Sequence, residues 1–217
     1  MVNNQSLPEY SETEEKIFLA ALVEFATHGR KGARMQEIAA QAGYNKALVH
    51  YYFRSKERLY EEVFAFVIRR FIKGLFDDLE SAPDFPAMLR MLIERYISLL
   101  DRTPWLPKFM LRELWEGAAV LQDRLRTLFP EGSNSPPAFF IARMDEAVAK
   151  GVLRPLDPVQ TLFTILGSCI FFFAAFPVFS AFLPGVDKER PRLVQERADH
   201  IYDIIMNGLL PREGMSA

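Results

Sequence analysis

The sequence has a single cysteine among its 217 residues, Cys169, and it lies within an apolar stretch. One thiol cannot form a disulfide within the chain, and proteins without disulfides are typical of the reducing cytosol. Residues 1–16 are polar and acidic, so this segment lacks the apolar core of a secretory signal peptide. We therefore expect a cytoplasmic protein.

Residues that carry catalysis or hold metal ions are also scarce. The three histidines, His28, His50 and His200, are far apart and lack the spacing of metal ligands. The sequence contains no GxSxG motif, no Walker motif and no dinucleotide-binding fingerprint. Glu113 and Glu116 are three residues apart on one predicted helix, an arrangement that is usually solvent-exposed. We expect no enzyme activity, no cofactor and no metal site.

The formal net charge is only −2, so the whole chain is not a polycation. Basic residues are instead concentrated in the segment from Arg30 to Arg58, which has seven Arg or Lys residues and only Glu37 and Glu57 as acidic ones. Such a local excess of positive charge favours contact with phosphate. A short solvated helical segment can have the same composition, so the charge alone decides nothing.

One apolar run, residues 158–186, contains no charged residue. Its length is sufficient to cross a membrane. Gln160, Thr161, Thr164 and Ser168 interrupt its apolar character, and Pro177 is expected to end a helix over 158–176. A helix that lines a pocket or an interface between subunits has the same composition. We favour the latter interpretation and expect no membrane association.

The remaining pattern predicts an all-α protein. Apolar residues recur at helical spacing and no stretch alternates with period two, so strands are not expected. Ser11 and Glu14 form a capping-box pattern at the start of the first helix, and Gly29 is expected to end it. Its predicted buried stripe consists of Ile17, Phe18, Ala21, Leu22 and Phe25. A long helix is expected over 55–79, followed by helices over 86–101, 107–129, 136–150, 158–176 and 191–210.

The segment 34–56 reads RMQEIAAQAGYNKALVHYYFRSK and has the pattern of a helix-turn-helix. Its first half has one apolar face, with Met35, Ile38, Ala39 and Ala42 at i, i+3, i+4 and i+7. Gly43 supplies the turn, and Asn45 is placed to cap the second helix. In that helix Val49, Tyr52 and Phe53 are expected to point inward, leaving a second face of Lys46, Leu48, His50 and Tyr51. This face is free to enter the major groove of DNA.

The longer string IAAQAGYNKALVHYYFRSKERLYEEV, residues 38–63, resembles the DNA-binding signature of the TetR (tetracycline-repressor-like) family of transcription regulators. The resemblance extends from about Thr13 to Val63. It implies a three-helix DNA-binding domain over residues 1–57, followed by a helical ligand-binding and dimerisation domain over 58–217. Two positions depart from the family pattern: Ala33 stands where a capping threonine is frequent, and His50 replaces a common tyrosine.

Nine residues are candidates for contact with DNA. Lys46 is placed to reach a base edge or a phosphate, whereas Arg34 and Lys56 are placed for phosphates. Ala47 and Leu48 are small enough or apolar enough to pack on thymine methyl groups, and Gln36 is placed to hydrogen-bond adenine. Asn45 has two open roles, a hydrogen bond to DNA or a helix cap. Tyr51 is placed to bond a phosphate. The candidates are Arg34, Gln36, Asn45, Lys46, Ala47, Leu48, His50, Tyr51 and Lys56.

The C-terminal region is rich in aromatic and methionine side chains, which line adaptable apolar pockets and also fill ordinary cores. The predicted ligand site consists of Trp105, Phe109, Met110, Arg112, Trp115, Met144, Phe163 and Phe172, with Arg112 as a polar anchor. In the last helix, apolar residues at steps of four and three form a seam of a kind that packs against a partner helix: Val194, Ala198, Ile201, Ile205 and Leu209. We expect a homodimer through the helices near 158–176 and 191–210.

The sequence therefore predicts a ligand-responsive transcription regulator. The most consistent form is a homodimeric repressor that binds a near-palindromic double-stranded DNA operator and is released by a small hydrophobic or aromatic molecule. Two alternatives stay open: a membrane-associated helical protein anchored by residues 158–186, and a helical enzyme that does not bind DNA.

Overall fold

The structure is a computed structural model that describes residues 10–116, 118–130 and 135–211; for residues 116 and 118–120 it describes the backbone alone. In these ranges the chain forms helices and no strand, which confirms the all-α class. The polar segment of residues 1–9 lies outside the described residues. The helices are α1 (Glu12–Gly32), α2 (Met35–Ala42), α3 (Lys46–Phe53), α4 (Lys56–Phe76), α5 (Phe85–Arg102), α6 (Leu106–Glu116), α7 (Ala118–Leu128), α8 (Pro136–Ala149), α9 (Pro158–Phe179) and α10 (Val186–Leu209), with a 3-10 turn at Leu79–Ser81.

The chain folds into two compact units. The first is built from the residues up to Lys73 together with 108–124, and the second from 74–107 together with the residues from Leu125 onward. Most of α6 therefore packs with the N-terminal helices. This division differs from the expected boundary between residues 57 and 58, which stays a prediction.

In the first unit, α1 begins at a complete capping box. The Ser11 side chain accepts from the Glu14 backbone N–H, and the Glu14 carboxylate accepts from the Ser11 N–H at 2.9 Å. The predicted apolar stripe of α1 is buried, with no member more than 3% exposed: Ile17, Phe18, Ala21, Leu22 and Phe25. The helix was expected to end at Gly29; instead Gly29 forms a kink with φ 70° and the helix continues to Gly32.

In the second unit, side-chain caps begin three of the helices. Asp84 accepts from the Ala87 N–H at the start of α5, and Ser135 accepts from the Ala138 N–H at the start of α8. Asp157 accepts from two backbone N–H groups of α9, each at 2.9 Å, and Pro158 occupies the first helical position. These caps explain why each chain segment turns helical where it does.

Two predicted helix ends were wrong because proline does not end a helix here. α9 continues through Pro177 to Phe179, since the Ser180 N–H donates to the Phe176 carbonyl and the last turn closes without the proline N–H. α10 begins at Val186 and includes Pro191. The segment predicted as one helix over 107–129 is helical over Leu106–Glu116 and Ala118–Leu128, and residue 117 lies outside the described residues.

Part of the predicted dimer seam of α10 is buried within the single chain. Ile201, Ile205 and Leu209 are each 9% exposed or less, so they pack inside the second unit. Cys169 on α9 is also fully buried, and burial raises the pKa of its thiol to about 12. The thiol is therefore protonated and unreactive at neutral pH.

Helix α9 has an apolar surface that the single chain leaves open. Phe163 is 69% exposed and Phe171 is 62% exposed. By length and composition α9 is apolar enough to cross a membrane. A helix that is covered by a partner protein has the same composition, so this property alone is weak support for a membrane span.

Candidate nucleic-acid interface

Gly43 forms the turn between α2 and α3. Its φ of 78° and ψ of 24° lie in the left-handed region, and the following Tyr44 N–H donates to the Ala39 carbonyl at 2.9 Å. This pattern ends a helix with its last carbonyls bonded. The inward face of α2 is buried, with Ile38 and Ala39 at most 1% exposed. Because the buried face holds α2 in place, the turn at Gly43 sets the direction in which α3 leaves it.

Helix α3 is anchored at both of its ends. Asn45 accepts from the Leu48 backbone N–H at 2.9 Å, so the amide side chain is a helix cap. Val49 and Phe53 are buried, and the Tyr10 ring lies edge-on to Phe53 with centroids 6.0 Å apart. Only the opposite face of α3 remains available for another molecule.

The predicted DNA contacts all lie between Arg34, which directly precedes α2, and Lys56, the first residue of α4. Leu48, His50 and Lys56 are half-buried. The other six are exposed: Arg34, Gln36, Asn45, Lys46, Ala47 and Tyr51. The structure thus brings the nine residues onto one short segment of the first unit, and their contacts with DNA stay a prediction.

A buried carboxylate that the sequence analysis did not select organises the start of α2. Glu24 on α1 is 2% exposed, and its oxygens accept from the Arg34 backbone N–H at 3.2 Å and from the Gln41 amide at 3.3 Å. The His28 ring nitrogen Nδ1 lies 3.0 Å from the same carboxylate. Glu24 therefore takes the capping role at α2 that Ala33 and Arg34 do not supply. The only signal in the sequence was an acidic residue beside an apolar stripe.

Lys56 uses its ammonium group within the protein. The Nζ atom donates to the Ala33 carbonyl at 3.3 Å and lies 3.5 Å from the Lys31 carbonyl. These carbonyls belong to the end of α1, where helix carbonyls lack intrahelical partners. Lys56 thus ties the start of α4 to the end of α1.

The His50 ring is oriented by the turn that follows α3. Its Nδ1 atom lies 3.0 Å from the Arg54 carbonyl oxygen. Because a carbonyl only accepts, Nδ1 carries the proton and Nε2 is an acceptor while the ring is neutral. In this state His50 has no ring N–H left for a phosphate, whereas the tyrosine common at this position in the family would have a hydroxyl.

The predicted ligand residues are divided between the two units. Phe109, Met110, Arg112 and Trp115 belong to the first unit, and Trp105, Met144, Phe163 and Phe172 belong to the second. Phe109 and Met144 are fully buried, whereas Trp115 is 87% exposed. Neither unit by itself contains the whole predicted set, and its role in ligand binding stays a prediction.

Arg112 lies against the kink of α1. An added Cβ at Gly29 would lie 2.7 Å from the Arg112 Cδ and Nη1 atoms, and Arg112 donates to the Thr27 carbonyl at 3.3 Å. Its neighbour Glu113 was expected to be exposed, but it is only 9% exposed. The Glu113 carboxylate lies beside the hydroxyl of Tyr60, and burial together with this carboxylate raises the pKa of Tyr60. The Glu116 side chain lies outside the described part of the structure.

Two family models match the chain over most of its length. "Bacterial regulatory proteins, tetR family" matches residues 17–63, and "Tetracyclin repressor-like, C-terminal domain" matches residues 86–215. The chain belongs to the tetR family. It is a DNA-binding transcription regulator, and the helix-turn-helix of α2 and α3 lies within the first of the two matches.

Named relatives of this tetR-family chain are also transcription regulators. The HTH-type transcriptional regulator RutR of Escherichia coli (strain K12) is 26% identical over 209 residues, covering 93% of this chain and 92% of RutR. The HTH-type transcriptional repressor SCO4008 of Streptomyces coelicolor is 38% identical over 105 residues, covering 48% of this chain and 50% of the repressor.

Solved structures show the same fold. The putative transcriptional regulator SCO4942 from Streptomyces coelicolor has a TM-score of 0.67 at 24% identity, covering 91% of this chain and 98% of SCO4942. AibR, solved in complex with isovaleryl coenzyme A and operator DNA, has a TM-score of 0.66 at 22% identity, covering 92% of this chain and 99% of AibR.

Proposed function

We propose that this protein is a repressor that binds a near-palindromic operator as a homodimer and is released by a small hydrophobic or aromatic molecule. The observation that carries the proposal is the outward face of α3, which is exposed while Val49 and Phe53 anchor the helix from behind. A short helix presented in this way fits the major groove. Two copies related by a two-fold axis would contact half-sites about 34–36 Å apart.

The proposed dimer surface is the exposed apolar side of α9 with the adjoining part of α10. Phe163, Phe171 and Ile204 are all more than 60% exposed in the single chain. Burying these exposed apolar side chains against a second copy of the chain removes them from water, which favours association. The buried part of α10 gives this surface a rigid support.

A hydrophobic ligand is supported by the aromatic content of the second unit and by the similar structures. AibR was solved with isovaleryl coenzyme A, and another similar structure, with a TM-score of 0.67 at 14% identity, is that of the ketosteroid transcriptional regulator KstR2 of Mycobacterium tuberculosis. In this chain the ligand would favour a conformation whose recognition helices no longer match the operator. A coupling of about 1–3 kcal/mol lowers operator affinity roughly 5–150-fold.

The proposal is tested by DNA binding with purified protein at physiological salt. We expect it to prefer a duplex from its own upstream region over a random duplex, and we expect one member of a panel of hydrophobic and aromatic acids, acyl thioesters and sterols to reduce this preference. Equal binding to both duplexes would contradict the proposal. A preference that no member of the panel weakens would leave operator binding intact and exclude release by these ligand classes.

The exposed α9 surface supports one further candidate, a membrane-associated regulator anchored by residues 158–186. Cell fractionation separates the two candidates. A dimer that covers α9 stays in the supernatant without detergent, whereas an anchored protein sediments with membranes and is extracted only by detergent.

A further inference from the structure

Arg54, which directly follows α3, has a backbone conformation that arginine rarely adopts. Its φ is 64° and its ψ is −54°. The Ser55 N–H donates to the Phe53 carbonyl at 2.7 Å, which closes a three-residue γ-turn around Arg54. The form of this turn with positive φ is rare and strained for a residue that has a Cβ atom. A glycine would adopt the same conformation without this strain.

The protein holds this turn from both sides. The Arg54 N–H donates to the His50 carbonyl at 2.9 Å, and the Arg54 carbonyl accepts from the His50 ring at 3.0 Å. Phe53 before the turn and Leu59 after it are at most 2% exposed, so the buried chain on either side fixes the path of the backbone. A strained conformation persists where the surrounding structure determines it in this way.

The side chain of Arg54 is free for another molecule. It is exposed, and its guanidinium carbon lies 6.0 Å from the ring centroid of Tyr51, which is 66% exposed and is one of the predicted DNA contacts. In the part of the chain that the structure describes, no carboxylate pairs with this guanidinium. Arg58, by contrast, lies 3.4 Å from Glu62 on the same helix.

The other cation at this corner is less available. Lys56, predicted to contact phosphate, directs its ammonium group to the carbonyls at the end of α1. Arg54 is therefore the outward-facing cation between α3 and α4. Arginine offers a planar set of N–H donors that matches a phosphate oxygen pair.

We propose that Arg54 is a phosphate contact of the DNA complex, and that its strained turn is retained because the turn directs the guanidinium beside Tyr51 toward the duplex. The proposal rests on DNA binding through α3 and adds a residue that neither the helix-turn-helix pattern nor the resemblance had selected. Strained backbone conformations cluster at functional sites, where the surrounding structure maintains them.

The contact would be independent of base sequence, so the test does not require the operator to be known. Two variants remove the guanidinium: R54A keeps the Cβ atom and its strain, and R54G relieves it. Binding of each is measured to a duplex of about 30 base pairs from the protein's own upstream region, which spans two half-sites, and to a random duplex of the same length. Both measurements are made over a range of salt concentrations.

We expect both variants to bind both duplexes roughly 5- to 100-fold more weakly at about 0.1 M salt. We also expect the slope of log K against log salt to become shallower by about 0.9 for each phosphate that is no longer neutralised, which is about 1.8 for two copies of the chain. R54G is expected to melt about 2–6 °C above the intact protein, and R54A is not. A gain in stability together with weaker DNA binding is not explained by a purely structural role.

R192A is a matched control, because Arg192 is an exposed arginine that pairs with Glu189 and Glu196. Its salt slope is expected to stay unchanged. If R54G and R54A bind with the affinity and slope of the intact protein, Arg54 is not a phosphate contact. If R54G melts no higher than R54A, the turn is not strained, and the claim that strain is retained for DNA binding fails.

This test separates the proposal from the function on which it rests. An intact protein that binds neither duplex would contradict DNA binding through α3 and, with it, the role of Arg54. An intact protein that prefers its own upstream duplex, with unchanged Arg54 variants, would contradict the role of Arg54 alone.

Discussion

At the scale of single residues, the exposed side chains of α3 and the buried polar groups behind them have separate tasks. Lys46 is exposed at the first position of α3, where a cation reaches a base edge or phosphate. Glu24 is buried and bonds to the backbone and side chain of residues around α2. Substitution of Lys46 should therefore alter DNA binding, whereas substitution of Glu24 should alter the free energy of unfolding.

Replacing Lys46 with alanine should weaken binding to the upstream duplex by about 10-fold or more, because a charged contact to DNA contributes roughly 1–3 kcal/mol. Fluorescence anisotropy measures the affinity, and thermal melting checks that the fold is unchanged. K150A is a suitable control, since Lys150 is an exposed lysine that pairs with Glu146. Equal affinity of K46A and the intact protein would remove Lys46 from the interface.

Replacing Glu24 with glutamine should reduce the free energy of unfolding by about 1–3 kcal/mol, because a buried acceptor is exchanged for an amide that also needs an acceptor. Urea denaturation measures this change. The matched control is E12Q, since Glu12 is exposed and makes only a surface ion pair with Lys16. Equal midpoints for the two variants would show that Glu24 does not stabilise the start of α2.

At the scale of elements, Gly43 and Gly29 both have positive φ but differ in the space around them. Gly43 forms a turn that is open to solvent, whereas Gly29 lies against a side chain from another helix. Gly43 has open space where a Cβ would be, so a substitution there meets only backbone strain. Gly29 has the same sign of φ, and an added Cβ would in addition meet Arg112 of α6 at 2.7 Å. The flexible Arg112 side chain occupies the space that a side chain at position 29 would need, so Arg112 would have to shift.

Gly29→Ala should therefore destabilise the protein more than Gly43→Ala, which we expect to cost about 1–2 kcal/mol. Combining Gly29→Ala with Arg112→Ala should restore part of the difference, since it removes the atoms that the new Cβ meets. A double-mutant cycle in urea measures this coupling. Additive effects of the two substitutions would show that Gly29 and Arg112 do not constrain each other.

At the scale of the whole molecule, the proposed assembly depends on the exposed side of α9. Phe171 is 62% exposed in the single chain, and a comparably apolar residue on α1, Val23, is 57% exposed. The proposal assigns the partner to α9 and not to α1. These two positions form a matched pair for testing it.

Replacing Phe171 with glutamate should convert a dimer to a monomer and abolish operator binding, because a carboxylate would be buried without a partner in the interface. V23E should remain dimeric and bind DNA. Light scattering measures the mass, and the upstream duplex reports the binding. An F171E protein that stays dimeric, or an intact protein that is monomeric at micromolar concentration, would contradict the proposed interface.

The sequence by itself determined the features that depend on local periodicity and on single-residue chemistry. The all-α class, the buried stripe of α1 and the turn at Gly43 follow from helical spacing and a missing Cβ, and the family follows from the motif around them. The sequence left two roles open for Asn45, and the structure shows its side chain capping α3. Only the tertiary structure decided which polar groups are buried and whether a helix continues through a proline. The turn at Arg54 and the passage of α9 through Pro177 are closed by nearby backbone hydrogen bonds that the spacing of apolar residues does not predict. The carboxylates of Glu24 and Glu113 acquire their environments from residues on other elements. Such environments depend on packing between elements, which the spacing of residues within one element does not contain.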